Sequence, residues 1–188
     1  MDKTKTLIVI DPQIDFIYGS LRNEQAIKAV PNIVKKINEF NGDTIFVTQD
    51  THFKDYLNTK EGRNLPVQHC IKGTLGWDIH CGIKKALDDA EKKGVKVFYI
   101  EKNTFGSTTL VNKLKQMLSE LEWENYATSQ IEFIGFCTDI CVVSNVLLTK
   151  AEFYDTNIIV DSSCCAGSTP ESHEAALLTM KMCQIKII

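Results

Sequence analysis

Two cysteines stand one helical turn apart in "GFCTDICVVSNV", residues 135–146, where an apolar strand-like run passes into a helical pattern. Cys137 and Cys141 can be buried small hydrophobes, a redox pair, or a nucleophile and its neighbour. A free thiol titrates near ~8.5 and is mostly protonated at neutral pH, so a nucleophilic cysteine needs a base, a cation or a helix dipole beside it. The chain offers an acid, Asp11 in "IDPQIDF", and a cation, Lys102 in "YIEKNTFGS". Thr138 is expected to N-cap the following helix, which puts Cys141 in its first turn. Asp11 would then take the thiol proton and return it to a leaving amine. The backbone N–H groups of Cys137 and Cys141 would face a developing oxyanion. The Cys137 side chain is expected to be structural.

A second group surrounds "VTQDTHF". Asp50 and His52 lie two residues apart, and Glu61 and His69 follow in the same long loop. Two imidazoles and two carboxylates suit zinc, with manganese or iron also compatible and water able to complete the shell. Cys70 and Cys81 lack the paired C-x-x-C spacing of a zinc ribbon. His80 and His173 fall within helical patterns and are expected on helix surfaces. Cys164 and Cys165 are expected to fill space after a strand, and Cys183 to face the core from the last helix.

These residues converge only if the right elements carry them. Apolar, β-branched runs mark strands at 6–10, 43–49, 95–100, 130–136 and 156–161, with a weaker one at 184–188. Most are continuously apolar, as strands buried on both faces are. Helical patterns lie between them, at 24–40, 78–93, 108–121, 139–152 and 171–183, the second stopped by Gly94. The alternation predicts an α/β fold: one mostly parallel, six-stranded, Rossmann-like sheet with helices on both faces, in a single domain spanning residues 1–188. Residues 51–77 are expected to be an irregular functional loop. Ligands bind such sheets at the carboxyl ends of the strands, which is where Asp11, Asp50, His52, Lys102 and Cys141 fall.

Composition narrows the function. A formal net charge of −3 without a basic cluster does not support nucleic-acid binding. The first apolar run is broken at once by Asp11, so neither a signal peptide nor a membrane span is expected. Seven cysteines, an odd number, fit free thiols in a cytoplasmic protein. No G-x-G-x-x-G follows the first strand, which argues against a dinucleotide-binding module. The expected partner is a small-molecule amide substrate, and homo-oligomerisation is left open.

The segments "IDPQIDF", "DTH…E…HCIKGTLGW", "EKNTFGS", "GFCTDICV" and "DSSCCAGSTPESHEAAL" together resemble the isochorismatase-like cysteine hydrolases, and among them the nicotinamidases. The resemblance spans nearly the whole chain. It implies Asp11 as general base and acid, Lys102 as the cation orienting its partners, and Cys141 as nucleophile. It also implies Asp50, His52, Glu61 and His69 as ligands to one divalent metal, a non-proline cis peptide at Phe136–Cys137, and a role in pyridine nucleotide salvage. Phe16 and Phe105 match aromatic positions of the substrate pocket. "NLPVQH", residues 64–69, departs from the pattern, because it lacks the aromatic residue expected shortly before the last histidine. A different small carboxamide as substrate and a non-enzymatic thiol protein remain alternatives; the C-x-x-x-C spacing of Cys137 and Cys141 is one residue longer than the thioredoxin-type motif.

Overall fold

Five runs of apolar and β-branched residues, joined by a two-residue sixth, form one all-parallel sheet in the computed structural model, which describes residues 5–118 and 129–188. The strands are β1 (Lys5–Ile10), β2 (Thr44–Asp50), β3 (Lys96–Lys102), β4 (Gln130–Phe136), β5 (Asn157–Ala166) and β6 (Lys186–Ile187). Their order is β3-β2-β1-β4-β5-β6. The chain winds outward from β1 to β3, then returns to β4 on the other side of β1. The β1–β4 boundary is therefore the switch point, and a crevice opens there at the carboxyl ends of the strands.

Alternate residues of the central strands feed two cores, as the period of two requires. Leu7, Val9, Ile45 and Val47 face α2 (Glu24–Asn38) and α4 (Cys81–Lys92). Ile8, Ile10, Phe46 and Phe133 face α5 (Thr108–Leu118), α6 (Val143–Glu152) and α7 (Pro170–Met182). Two short helices, α1 (Ile14–Ile17) and α3 (Lys60–Asn64), lie near the site. Among the described residues, no helix is long and apolar enough to cross a membrane.

Several boundaries differ from the sequence expectation. The helix expected from 78 begins only at Cys81, because Ile79 bridges Gln13 and the Asp78 carbonyl accepts from the Ile14 N–H. His80 is the N-cap of α4, accepting a hydrogen bond from the Gly82 N–H, rather than a residue within the helix. β5 runs through Cys164 and Cys165, its register with β4 jumping from Phe133–Val160 to Gly135–Cys165. The two thiols are buried on opposite faces. β3 is an edge strand, so Phe98 and Tyr99 are substantially exposed instead of covered on both faces. Cys183 is exposed at the C-cap of α7; Met180 and Ile185 take the inward positions. Residues 119–121 of the helix expected over 108–121 lie outside the described residues.

Candidate active site

Each acid or cation of the site sits where a strand ends. Lys102 and Asp50 are the last residues of β3 and β2, and Asp11 directly follows β1. Asp11 has a φ of +46°, a left-handed conformation that costs an ordinary residue about 1–2 kcal/mol and that Asp tolerates better than most. Its backbone N–H donates to the Thr48 carbonyl at 3.1 Å, and the Thr48 hydroxyl donates to Asp11 Oδ1 at 2.6 Å. The other carboxylate oxygen, Oδ2, lies 2.7 Å from Lys102 Nζ. Lys102 Nζ in turn donates to Cys141 Sγ at 3.5 Å. Asp11 is 0 % exposed, Cys141 5 % and Lys102 6 %.

The turn that presents Cys141 differs from the one expected. Thr138 is not an N-cap. The capping position is Cys137, and Thr138–Val142 form a π-helical turn leading into α6. Such turns are frequent at functional sites. The Thr138 hydroxyl pairs with His173 Nδ1 at 2.8 Å, and Asp139 accepts from the Ser168 N–H at 3.0 Å. His173 is thus a half-buried anchor between α7 and this turn, not a free surface residue. Asn145 adds a third tie: its Nδ2 donates to the carbonyls of Cys141 at 2.8 Å and Phe105 at 3.0 Å. The Phe136–Cys137 peptide bond is cis. Gly135, with φ +119°, brings β4 against β1 so closely that a Cβ there would lie 2.1 Å from the Ile10 carbonyl oxygen.

Burial sets the electrostatics. Desolvation raises the Asp11 carboxyl above its usual 3.8, against the lowering pull of Lys102. Desolvation also raises the Cys141 thiol well above its usual value, and the Asp11 carboxylate adds to that. Lys102 remains a cation: its burial is outweighed by Asp11, Cys141 and Asp50. Asp11 and Cys141 thus both lean toward their protonated forms beside the Lys102 cation, and one proton shared between them can pass from sulfur to carboxylate. Moving it from sulfur to carboxylate leaves the net charge of the buried trio unchanged. Cys137, largely buried beside the nucleophile candidate, is pushed up to about 12 by burial.

The loop after β2 is not wholly irregular. It contains a short 3-10 turn, Tyr56–Asn58, and then α3, N-capped by Thr59, which places Glu61 in its first turn. The candidate ligand atoms of Asp50, His52, Glu61 and His69 all lie within 4.8 Å of one another. Asp50 Oδ2 is 3.0 Å from His52 Nε2 and 3.4 Å from His69 Nε2. His69 Nδ1 lies 2.8 Å from the Val67 carbonyl, an arrangement in which Nδ1–H donates and leaves the Nε2 lone pair facing the cluster. His52 Nε2 is buried and faces the Asp50 and Glu61 carboxylates without a well-formed hydrogen bond to either. Burial would lower the His52 pKa, but Asp50 and Glu61 outweigh it and raise it to about 9. An orphaned imidazole nitrogen among carboxylates that draw in positive charge fits a divalent cation.

Cys141 and the four-residue cluster open on one cavity of about 1310 Å³. Phe16, Phe105, Phe53, Tyr56 and Leu65 line it. The Tyr56 ring centroid lies 4.6 Å from that of His52 and 5.0 Å from that of His69. The aromatic surface beside the cluster is therefore supplied from before Glu61, whereas Leu65 occupies part of "NLPVQH". No local pattern marks Thr48 and Asn145, whose partners Asp11 and Phe105 lie 37 and 40 residues away, or Tyr56, whose ring meets His52 nearby and His69 further along the loop.

The isochorismatase domain family matches residues 5–188, and the chain belongs to that family. Among curated proteins, it is 31 % identical over 183 residues to an uncharacterised isochorismatase family protein, PncA, of Bacillus subtilis, covering 92 % of each chain. Among solved structures, it resembles the nicotinamidase/pyrazinamidase PncA from Bacillus subtilis, with a TM-score of 0.81, 27 % identity and 98 % of both chains covered. It also resembles the pyrazinamidase/nicotinamidase from Streptococcus mutans, with a TM-score of 0.82, 26 % identity, and 98 % of this chain and 100 % of that one covered.

Proposed function

We propose that the protein is a cysteine amidohydrolase that converts nicotinamide and water to nicotinate and ammonia. One observation carries the reading: Lys102 Nζ lies 2.7 Å from Asp11 Oδ2 and 3.5 Å from Cys141 Sγ, with the sulfur at an aromatic-lined cavity. The named activities of the two structural neighbours support it.

Cys141 Sγ bonds to the amide carbon while Asp11 takes the thiol proton. The backbone N–H groups of Cys137 and Cys141 receive the carbonyl oxygen as it gains charge. Asp11 returns the proton to the amide nitrogen, the C–N bond breaks, and ammonia leaves a thioester on Cys141. Water then attacks the thioester carbon, Asp11 takes one of its protons and passes it to sulfur as the C–S bond breaks, and the nicotinic acid released gives its remaining proton to solvent to become nicotinate. Lys102 keeps its charge throughout and holds acid and thiol in register. Phe16 and Phe105 offer faces to a planar ring.

Asp50, His52, Glu61 and His69 would hold one divalent metal, with zinc preferred for two imidazoles and two carboxylates, and manganese or iron also accepted by such donors. When bound, it would supply a Lewis-acidic centre able to take a ring nitrogen, directly or through water. We assign the protein to the cytoplasm, where its free thiols would stay reduced.

Ammonia release from nicotinamide by purified protein, with Cys141→Ala as control, tests the reading; no release from the wild type would reject it. A different small carboxamide is the second reading, favoured by "NLPVQH", where Leu65 lines the cavity in place of an aromatic residue. Turnover of such an amide without turnover of nicotinamide would establish that alternative.

A further inference from the structure

The short segment after β1, Asp11–Asp15, carries more than the acid. Gln13 is completely buried, and its side-chain amide is spent on backbone at the metal cluster and on the segment leading to α4. Its Oε1 accepts from the Asp50 N–H at 2.7 Å, and its Nε2 donates to the Asp50 carbonyl at 2.8 Å and the Trp77 carbonyl at 2.9 Å. Asp50 is thus gripped on both sides of its Cα by a single side chain.

Two residues on, Asp15 does the same for the other half of the cluster. Its Oδ2 accepts from the Cys70 N–H at 2.7 Å, and its Oδ1 accepts from the Ser20 N–H at 3.0 Å. Cys70 follows His69 directly and holds a left-handed φ of +47°. The Cys70 carbonyl in turn accepts from the His52 N–H at 2.9 Å. Glycines enclose the Asp15 carboxylate: a Cβ at Gly19 would lie 2.1 Å from Oδ1, and one at Gly76 would lie 2.2 Å from Oδ2. The backbones of Asp50, His52 and His69 therefore all trace to the turn that bears Asp11. Glu61, on α3, is outside this arrangement.

We propose that Gln13 and Asp15 are positioning residues for the metal centre: they fix three of its four ligands relative to one another and to Asp11. This rests on the metal reading above. Residues that orient metal ligands in this indirect way typically cost about 10–100-fold in metal affinity when removed. A purely structural side chain would instead lower the melting temperature and leave the affinity of the folded protein alone.

The test is the zinc dissociation constant, measured by chelator competition for the wild type, Gln13→Ala, Gln13→Glu and Asp15→Asn. The visible absorption of cobalt(II)-loaded protein reports ligand geometry in parallel. Gln13→Ala should weaken zinc by about 10–100-fold and change the cobalt spectrum. Gln13→Glu keeps the volume and the acceptor for the Asp50 N–H but sets an oxygen against the Asp50 and Trp77 carbonyls, and should weaken zinc as well. Asp15→Asn, which replaces one acceptor by an amide, should also weaken zinc. Wild-type affinity and spectrum in folded Gln13→Ala protein, with only the melting temperature lowered, would overturn the proposal. If Gln13→Ala does not fold, the glutamate variant decides. Failure of both to fold would make Gln13 a folding residue and end the proposal. Absence of zinc binding by the wild type would remove the metal reading itself, and this inference with it.

Discussion

Asp50 and Lys102 stand opposite each other in the last register of the β2–β3 ladder, and Asp50 Oδ1 lies 3.8 Å from Lys102 Nζ while Oδ2 faces His52 and His69. One carboxylate thus borders both the buried trio and the four-ligand cluster. His52 and His69, and after them Lys102, hold the Asp50 carboxyl well below the usual carboxylate range, despite its burial. The two halves of the site are electrostatically adjacent, not merely near neighbours in one cavity.

Metal content follows from that cluster. Protein purified without chelator should carry about one equivalent of divalent metal by elemental analysis, and His52→Ala and His69→Ala should lose it. Asp50→Asn should lose metal and also depress the activity that remains, because it removes the charge beside Lys102. Full activity in metal-free wild-type protein would leave the cluster without a part in turnover.

The nucleophile assignment separates the two cysteines of the opening motif. Cys141→Ala should lower turnover by about 10⁴-fold or more, since groups that act as a catalytic unit fail together. Near-ultraviolet circular dichroism should stay native, because alanine fits the turn. Cys137→Ala should retain most of the activity, as its role in the proposed reaction lies in the backbone N–H. Equal losses in the two variants would sink the assignment.

The pH profile has a sign that the trio dictates. The competent state has one proton shared between Asp11 and Cys141. It is lost on the acid side when both hold protons, and on the alkaline side when neither does. Because burial raises Asp11 above 3.8, the acid limb of kcat/KM should lie above the ordinary carboxylate range. Because burial raises Cys141 above 9.0, the alkaline limb should lie above the ordinary thiol range. Lys102→Met removes the cation that pulls Asp11 down, so the acid limb should move to higher pH. A limb fixed at 3.8 in both proteins would contradict the burial argument.

Substrate selection should show in KM. Phe105 is 48 % exposed at the cavity mouth and Phe53 58 %. A lost aromatic contact costs about 0.5–1.5 kcal/mol beyond area burial, which at about 1.4 kcal/mol per decade is roughly two- to twelve-fold. Phe105→Ala should raise KM for nicotinamide by that factor with little change in kcat, the signature of a contact made equally in ground and transition states. Benzamide, which lacks the ring nitrogen, should be the poorer substrate. Turnover of benzamide as fast as nicotinamide would exclude recognition of that nitrogen.

The sequence by itself determined the sheet, its helices and which polar residues stand at the strand ends. Short, β-branched, continuously apolar runs such as "TLIVI" read as strands covered on both faces, and a parallel sheet delivers the residues that follow its strands to one edge. Asp11, Asp50, Lys102 and Cys141 are drawn together by that rule alone. Tertiary structure decided what depends on contacts between residues distant in sequence. Thr138 reads locally as an N-cap, but His173, 35 residues on, takes its hydroxyl and the turn becomes π-helical. Gln13 reads as one polar residue in "IDPQIDF", and only folding brings Asp50 and Trp77 against its amide. Tyr56 carries no periodic signal, since it belongs to a loop whose shape is set by the groups it packs against. Local patterns encode elements because period and capping act within a few residues. Partners for buried polar groups come from anywhere in the chain, and their identity is fixed only when burial forces each donor and acceptor to be satisfied.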